Sequence, residues 1–443
     1  MKAETEFTST DSIPDSRLPA PVPRFRFGET TRQAGMLFSA QTISMVAGLV
    51  ISIIQARWME PSEMGRFAFC LSLIVVGGLL FEFGIASAGA RVLALSRDDQ
   101  TEREALGALT LITLAISIAF SLFIAAVAVP VDLIFNKDVR WLLVALGPLA
   151  FFQPFQLFIE QVCQGMNRIR RLSVFQLLIA GINLIALIAL VAMHRLTAGS
   201  ALGAYLAAVA VATLWTIARL RPSFQNTTNH FKVIFKETRG YGLNMYFARV
   251  MGMISSRADQ LVIAYFIAAS APLGIYAIAQ KFSNPISMVG RSLAVTRFRA
   301  FAKLASVPRR ITHWNAGLLV AASVGLIIAG PFAIKLLFPQ YTEGISLLVP
   351  FALMNLLTGL FQPYNVFLGA HGRGVELRNI VFIVSLTSVV GLFLAVPRFG
   401  IAGAAWVGAA AMALDYLLHL HYYSKFRRAL KNSGFVVHGS EQH

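Results

Sequence analysis

The segment YGLNMYFARVMGMISSRADQLVIAYFI, residues 241–267, is long enough to cross a bilayer as one helix, yet it contains three ionisable side chains. At about 3.6 residues per turn, Arg249, Arg257 and Asp259 lie on one side of that helix, and the opposite arc is apolar or aromatic. Charged groups at membrane depth cost about 2.5–3.5 kcal/mol each on insertion scales and usually face a bundle interior or a hydrated cavity. The segment therefore predicts a membrane helix with one lipid or core side and one cationic side.

Composition extends this interpretation to the whole chain. Of its 443 residues, 56% are hydrophobic and 13% are charged, whereas soluble domains have about 25% charged residues. Several separate apolar runs reach the length of about 20 residues that a spanning helix needs. Both cysteines, Cys70 and Cys163, lie inside apolar runs, and neither CxxC nor Cys/His metal spacing occurs. We therefore expect a polytopic membrane protein without a cofactor.

The fold class that follows is an all-α polytopic membrane protein with twelve transmembrane helices. The spans are predicted at about 34–56, 67–90, 105–129, 141–165, 172–193, 199–218, 241–267, 274–296, 313–336, 345–369, 378–397 and 401–422. The predicted organisation is a flexible cytosolic tail, an amino-terminal six-helix lobe, a cytosolic linker, a carboxy-terminal six-helix lobe and a second cytosolic tail, at residues 1–33, 34–218, 219–240, 241–422 and 423–443.

Lysine and arginine placement predicts the orientation. The side that holds both termini carries 28 of the 38 basic residues, the opposite side carries 7, and three lie inside spans. Because cytosolic loops carry the excess of positive charge in membrane proteins, both termini are predicted to be cytosolic. This bias also explains most of the net charge of +17, so nucleic acid is not expected as a partner.

An internal repeat predicts how the lobes are related. In the fourth and tenth spans, matching positions recur at an offset of 202: Pro148 and Pro350, Gln153 and Asn355, Gln156 and Thr358, Glu160 and Gln362. In the first and seventh spans, Gly48 and Ser52 match Gly252 and Ser256 at an offset of 204. Six spans per repeat give both halves the same orientation, which predicts a parallel repeat about an axis along the membrane normal.

Polar side chains at helical spacing inside the spans predict a hydrated cleft between the lobes. The alternative is that they are interhelical hydrogen-bonding positions, which are common in membrane bundles. Arginine stays ionised and binds phosphate through two donors, so a cation-rich cleft favours a pyrophosphate-bearing substrate. The predicted substrate-binding residues are Arg249, Arg257, Lys281, Asn284, Gln260, Ser256, Gln41, Gln156 and Gln362. The predicted coupling or gating residues are Asp259, Glu82, Glu160, Arg91 and Arg291.

Two segments carry a family resemblance. Residues 55–94 resemble the first-hairpin signature of polysaccharide-export flippases, in which a Pro-Ser-Glu turn and a glycine precede the second span and an acidic residue followed by glycine lies near its end. These positions are Pro61, Ser62, Glu63, Gly65, Glu82 and Gly84. Residues 256–282 are similar to the second-half signature, with Asp259 inside the seventh span and Gly274 and Tyr276 opening the eighth.

The resemblance spans roughly residues 34–422 and is to the multidrug, oligosaccharidyl-lipid and polysaccharide exporter superfamily, within it to O-antigen or exopolysaccharide repeat-unit flippases. It implies a fold like that of the multidrug exporters and movement of undecaprenyl-pyrophosphate-linked oligosaccharide across the bacterial cytoplasmic membrane by alternating access. The cationic cavity of that family maps onto Arg249, Arg257 and Lys281. Implied partners are the lipid-linked oligosaccharide, membrane lipids, a polysaccharide polymerase and the chain-length machinery.

Three alternatives stay open at this stage. An ion-coupled small-molecule antiporter would have the same fold, and coupling to H⁺ or Na⁺ is undetermined for either transporter. A repeat-unit polymerase or ligase is disfavoured because it would carry a large outer loop with convergent Arg and His, whereas the outer loops here are short. A non-transporting scaffold would leave the buried cations unexplained. The lipid II flippase branch has two further spans, which argues against that branch.

Overall fold

The computed structural model describes residues 43–44, 46–96, 98–295, 301, 304 and 306–432. The helices are α1 (Val46–Trp58), α2 (Pro61–Leu80), α3 (Ile85–Ala94), α4 (Asp99–Phe135), α5 (Arg140–Ala150), α6 (Phe152–Gly165), α7 (Ile169–Ala192), α8 (Ala198–Leu220), α9 (Thr227–Glu237), α10 (Leu243–Phe266), α11 (Ala271–Ser283), α12 (Pro285–Val295), α13 (Arg309–Leu337), α14 (Leu348–Ala370) and α15 (Gly374–Asn432). A π-helical turn, Thr238–Gly242, leads into α10, and a 3₁₀ segment, Pro339–Leu347, leads into α14.

The all-α membrane fold is confirmed: helices form nearly all of the described part of the chain, and no strand occurs there. Within the part of the chain that the structure describes, seven helices are long and apolar enough to cross a membrane, or eight if α5 and α6 are one bent span. Helix α15 covers two predicted spans and is interrupted at Gly400, where φ is 59°. Every predicted span overlaps a described helix or helix pair, while the count of twelve and the two-lobe repeat stay predictions.

Several helices are interrupted where the sequence predicted continuous spans. The predicted span 67–90 is two helices, α2 and α3, because Phe83 and Gly84 take positive φ values of 50° and 78°. Between α5 and α6 the chain bends by 41° at Phe151, which Pro148 and Pro154 flank. Proline removes a backbone donor and clashes with the preceding turn, so bends are expected beside it.

The turn predicted to precede the second span is also wrong. Pro61 is the first residue of α2, so Ser62, Glu63 and Gly65 already lie in helix. Proline is favoured at a first helical position because its missing N–H would have no partner there. At the other end of the chain, α15 continues to Asn432 and so passes the predicted end of the second lobe at 422.

The two halves of the chain cross at a pair of glycines, Gly65 in α2 and Gly274 in α11. A Cβ on Gly65 would lie 1.8 Å from the Ser270 carbonyl oxygen, and a Cβ on Gly274 would lie 2.0 Å from the Pro61 oxygen. Each glycine thus lets the backbone of the other helix approach closely. The buried apolar core continues across this crossing, from Phe67 and Phe69 to Tyr276 and beyond.

Because successive membrane spans run in opposite directions, the chain reversals between spans alternate between two ends of the bundle. We call the end with the reversals near residues 59, 138, 195 and 268 the far end. The other, which the charge bias predicts to be cytosolic, is the near end and includes the reversals near residues 97, 167, 224 and 372. At the near end, Asp98 begins α4 and accepts hydrogen bonds from the Thr101 N–H at 2.7 Å and hydroxyl at 2.9 Å, which lower the pKa of Asp98.

Candidate functional site

A cavity of about 340 Å³ lies between the halves of the chain, beside α1 and the junction of α11 and α12. Its lining residues are Gly48, Leu49, Ile51, Ser52, Gln55, Phe67, Leu71, Asn183, Tyr205, Lys281, Asn284, Pro285 and Met288. Lys281 is ten residues from the start of α11, about 15 Å along the helix, which is near the middle of a bilayer core. The cavity therefore reaches membrane mid-depth.

Lys281 supplies the charge of this cavity. Its ammonium donates to Gln55 Oε1 at 3.1 Å and lies 5.2 Å from the centre of the Phe67 ring. No carboxylate pairs with it among the residues that the structure describes. The Oδ1 of Asn183, a residue that is 7% exposed, also lacks a hydrogen-bond partner within the described chain. A polar group that is buried without a partner is costly, so this cavity is suited to water or a polar ligand.

Arg257 adds a second cation close to Lys281. It lies on α10, nine residues from the helix end at Phe266, so it is at a similar depth. The two positive charges interact, and Arg257 also acts electrostatically on Tyr205. Within the described residues Arg257 forms no ion pair. Of the two cations, Lys281 lines the cavity with its amide and hydroxyl groups, and Arg257 is not one of the lining residues.

A polar network on α10 and α11 continues across to α2. Asp259 Oδ2 accepts from Tyr276 Oη at 2.8 Å and from Gln280 Nε2 at 2.9 Å. Gln280 accepts in turn from Gln260 at 3.0 Å, and Ser72 donates to Gln260. The closest side-chain contacts of Asp259 are therefore hydrogen bonds from Tyr276 and Gln280, and not an ion pair with Arg257.

Two residues of these contacts occupy matching positions of the predicted repeat. Ser72 precedes Lys281 by 209 residues, the offset between Gly65 and Gly274. The structure joins Ser72 to Gln260 and Lys281 to Gln55. Under the predicted repeat, the same position carries a hydroxyl in the first half and an ammonium in the second.

Arg249 is paired with a carboxylate and does not line the cavity, while its predicted substrate-binding role stays a prediction. Its Nη1 lies 3.4 Å from Glu82 Oε2 and donates to Ser87 Oγ at 3.3 Å. Glu82 is 4% exposed and also accepts from the Ala86 N–H at 2.8 Å. Sequence spacing along α10 showed no acid near Arg249, because its partner comes from the break between α2 and α3.

A further polar group lies in the first half, on α6 and α8. Gln153 donates to Gln156 at 3.3 Å, Gln156 donates to Glu160 at 3.5 Å, and Tyr205 Oη donates to Gln156 Oε1 at 3.1 Å. Since Tyr205 also lines the cavity, this group connects Glu160 to it. Sequence analysis missed Tyr205 and Asn183 because each is a single polar residue in an apolar span.

Other predicted site residues lie apart from the cavity. Arg91 pairs with Glu237 at 2.8 Å at the near end. Arg291 is exposed near the end of α12. Ser256 donates to a carbonyl of its own helix, that of Met253. Gln362 on α14 does not line the cavity, and Gln41 lies outside the described residues. The roles predicted for these residues are untested.

Two sets of side-chain hydrogen bonds, which we call the clasps, join the two halves at the far end of the space between them. Lys137 donates to the carbonyl oxygens that end α10, those of Ile267, Ala268 at 2.8 Å and Ala269 at 3.1 Å. Burial lowers the pKa of Lys137 to about 8, and the three acceptors offset part of the cost of burying this ammonium.

The second clasp repeats the first with the halves exchanged. Gln340, which follows Lys137 by 203 residues, donates to the carbonyls that end α1, those of Ala56 at 3.2 Å, Arg57 at 3.4 Å and Met59 at 2.9 Å. Tyr341 Oη also donates to the Met59 oxygen, at 2.9 Å. The far end is thus closed on both sides of the crossing, and the cavity lies toward the near end from it.

Comparisons with solved structures show the fold. The protein titled "Lipid II flippase MurJ, inward closed conformation" is 13% identical, with a TM-score of 0.66 over 90% of this chain and 93% of that one. An inward-facing multidrug resistance MATE family transporter of the MOP superfamily is 15% identical, with a TM-score of 0.68 over 88% and 96%. An outward-facing transporter of the same description has a TM-score of 0.53 at 13% identity, over 90% and 97%.

Comparison at the sequence level identifies the family. Among curated proteins, no sequence matches this chain. The profile of the family described as "Polysaccharide biosynthesis protein" matches residues 30–296, which include α1 to α12 and so both halves of the cavity lining. With this match and a multi-pass helical fold shared with flippases and transporters, the chain belongs to the polysaccharide biosynthesis protein family.

Proposed function

We propose that the protein is a flippase for a lipid-linked oligosaccharide whose lipid and sugar are joined by a pyrophosphate, undecaprenyl-pyrophosphate in a bacterial cytoplasmic membrane. The observation that carries the proposal is Lys281, a mid-depth cation that lines a cavity between the halves, with Arg257 near enough to act electrostatically on it. Two unpaired positive charges at membrane depth are expensive unless an anion offsets them. A pyrophosphate group supplies that charge and enough acceptors for both side chains.

The position of the cavity suits a substrate with a long lipid tail. It is lined by α1 on one side and by α11 and α12 on the other, with apolar Leu49, Leu71 and Met288 beside the polar groups. In the proposal, the pyrophosphate and sugar occupy the polar part, and the prenyl chain stays in lipid beside α1. Opening of the clasps at Lys137 and Gln340 would then release the sugar at the far end.

Family membership supports the substrate class. The chain matches a polysaccharide biosynthesis family, and one structural neighbour is titled a lipid II flippase. O-antigen or exopolysaccharide repeat units are the proposed cargo, with cytosolic termini, and the polymerase and chain-length machinery are the proposed partners. The proposed role is transport without catalysis.

A second candidate is an ion-coupled antiporter of small molecules, and one observation favours it. Asp259 is a half-buried carboxylate on α10 that Tyr276 and Gln280 hold by hydrogen bonds, and a carboxylate inside a membrane is a candidate for proton or sodium coupling. MATE transporters with the same fold fit this alternative. Coupling by H⁺ or Na⁺ is also compatible with the flippase.

The test uses a strain from which the gene for this protein is deleted and in which either the wild-type or a variant chain is expressed. Lys281→Gln and Arg257→Gln should each reduce polymer export at least tenfold and cause lipid-linked repeat units to accumulate. Arg310→Gln, which removes an exposed charge from the same half of the chain, is the matched control and should export normally. Normal export by both the Lys281 and the Arg257 variant would favour the antiporter. Drug sensitivity of the deletion strain without accumulation of lipid-linked intermediates would favour it as well.

A further inference from the structure

Five arginines converge on a second cavity, at the near end of the first half and separate from the one between the halves. This cavity of about 210 Å³ is lined by Arg103, Arg168, Arg171, Arg219, Leu220 and Arg221. The residues come from the start of α4, the turn before α7, the first turn of α7, and the end of α8 with the residue that follows it. We infer that this arginine cavity binds a phosphoryl group, that of an anionic lipid headgroup at the membrane surface.

The carboxylates near this arginine cavity do not balance its charge. Glu102 pairs with Arg168. Glu104 is turned away, because it contacts His230 at 3.3 Å and Gln100 at 3.1 Å. The other four arginines form no ion pair among the residues that the structure describes.

One of these arginines also has an unused donor. The Nη1 of Arg171 is buried and has no hydrogen-bond partner in the described chain. Like charges held this close repel one another, and a guanidinium donor that is shielded from water without an acceptor adds a further cost. A bound phosphoryl group removes both penalties, since its oxygens accept from several guanidinium groups at once.

The abundance of arginine at cytosolic loops does not explain this arrangement. The positive-inside bias accounts for the number of basic residues at the near end, but it does not require five of them to share one cavity. The segment that follows α8 is held in place, since the Ser223 N–H donates to the Arg103 carbonyl at 2.9 Å. A Cβ on Gly107 would lie 1.9 Å from the Ser223 oxygen, so this segment packs directly on α4.

The depth of the cavity favours a lipid phosphate over a soluble one. Arg219 lies over the ring of Trp215, 5.6 Å from its centre, and this tryptophan is 38% exposed on α8. Tryptophan is enriched at the headgroup level of membranes, and basic pockets between helices at the cytosolic side bind lipid headgroups. A volume of about 210 Å³ is smaller than a typical small-molecule pocket, which suits a headgroup whose tails remain in the bilayer.

The test measures binding to the purified full-length chain and does not depend on transport. Phosphatidylglycerol, phosphatidylethanolamine and inorganic phosphate are the three probes, with bound lipid counted by native mass spectrometry and the thermal midpoint recorded. Wild-type protein should retain phosphatidylglycerol in preference to phosphatidylethanolamine and gain thermal stability from it. Arg171→Gln and Arg219→Gln should each weaken that binding about fivefold, from about 1 kcal/mol per basic residue.

Arg170→Gln is the matched control, because Arg170 is exposed, adjacent to Arg171 and outside the cavity lining. It should bind like wild type. If inorganic phosphate stabilises the protein and this effect depends on Arg171 and Arg219, the cavity is a phosphoryl site whose ligand is a soluble phosphate and not a lipid. Equal loss of binding in Arg170→Gln, or no preference in wild type together with no phosphate effect, would overturn the inference. If Arg171→Gln does not fold, Arg219→Gln decides, since Arg219 is exposed and its removal leaves the packing intact.

Discussion

The pairing of Arg249 with Glu82 allows a structural role of this arginine to be separated from a role in transport. Arg249→Met removes the guanidinium and keeps much of the side-chain length, and Glu82→Gln removes the charge of its partner. Glutamine can keep the contact that Glu82 makes with the Ala86 N–H. The two single variants, the double variant and wild type form a double-mutant cycle.

The expected magnitude follows from burial and distance. Removing one partner of a buried ion pair costs about 3–5 kcal/mol because the other charge is left unpaired. The Glu82 side chain is 5% exposed and that of Arg249 is 24% exposed, and their single contact is 3.4 Å long. The exposure of Arg249 weakens the pair, so Arg249→Met should cost about 2–3 kcal/mol of unfolding free energy. Adding Glu82→Gln should recover about 1.5–2 kcal/mol of that loss.

Unfolding free energies of the four purified proteins, measured by denaturant titration in detergent micelles, give the coupling energy. Export by each variant is measured in parallel in a strain that lacks the chain. If Arg249 contacts the substrate, the double variant is stable and does not export. If Arg249 serves to neutralise Glu82, the double variant recovers both stability and export. Additive destabilisation, with a coupling energy under about 0.5 kcal/mol, would refute the pairing itself.

Three other predictions concern the clasps, the helix crossing and the network. The double variant Lys137→Met with Gln340→Ala removes the donors to both sets of helix-end carbonyls. It should therefore raise at least threefold the rate at which a thiol reagent labels a cysteine placed at the far end. An unchanged labelling rate would contradict closure by these clasps. Gly65→Ala should lower the unfolding free energy by about 1–3 kcal/mol, because its Cβ would meet a backbone oxygen at 1.8 Å. Gly317→Ala, whose Cβ would have nothing within 4 Å, is the control and should not lower it. Equal thermal unfolding midpoints of the two variants would show that the helices cross less closely than this. Asp259→Asn can still accept from Tyr276, so it should fold normally but lose any dependence of transport on an ion gradient in proteoliposomes; an unaltered dependence would exclude this carboxylate from coupling.

Much of the fold could be predicted from the sequence for a simple reason. A span of about 20 apolar residues has few stable conformations in lipid other than a helix, because its backbone must satisfy its own hydrogen bonds. Composition and hydropathy therefore predicted an all-helical membrane protein, and the structure agrees. Helical periodicity placed Arg257 and Asp259 on the polar side of α10, and Lys281 and Asn284 do line the cavity.

The tertiary structure decided what periodicity leaves open, which is the partner of each polar side chain. Periodicity gives the face on which a residue lies, but packing decides what that face meets. Arg249 contacts Glu82, which lies 167 positions earlier in the chain, and Lys137 contacts carbonyls 130 to 132 positions later. The break at Phe83 and Gly84 places Glu82 against α10, and no local sequence signal required it.

For the segment 241–267, the sequence by itself determined a membrane helix with one cationic side. The tertiary structure divided that side among three environments. Arg249 pairs with a carboxylate of the first half, Asp259 is held by hydroxyl and amide donors of α11, and Arg257 acts electrostatically on Lys281. The physical reason is that burial of an ionisable group is tolerated where partners surround it, and the positions of those partners exist after the helices have packed.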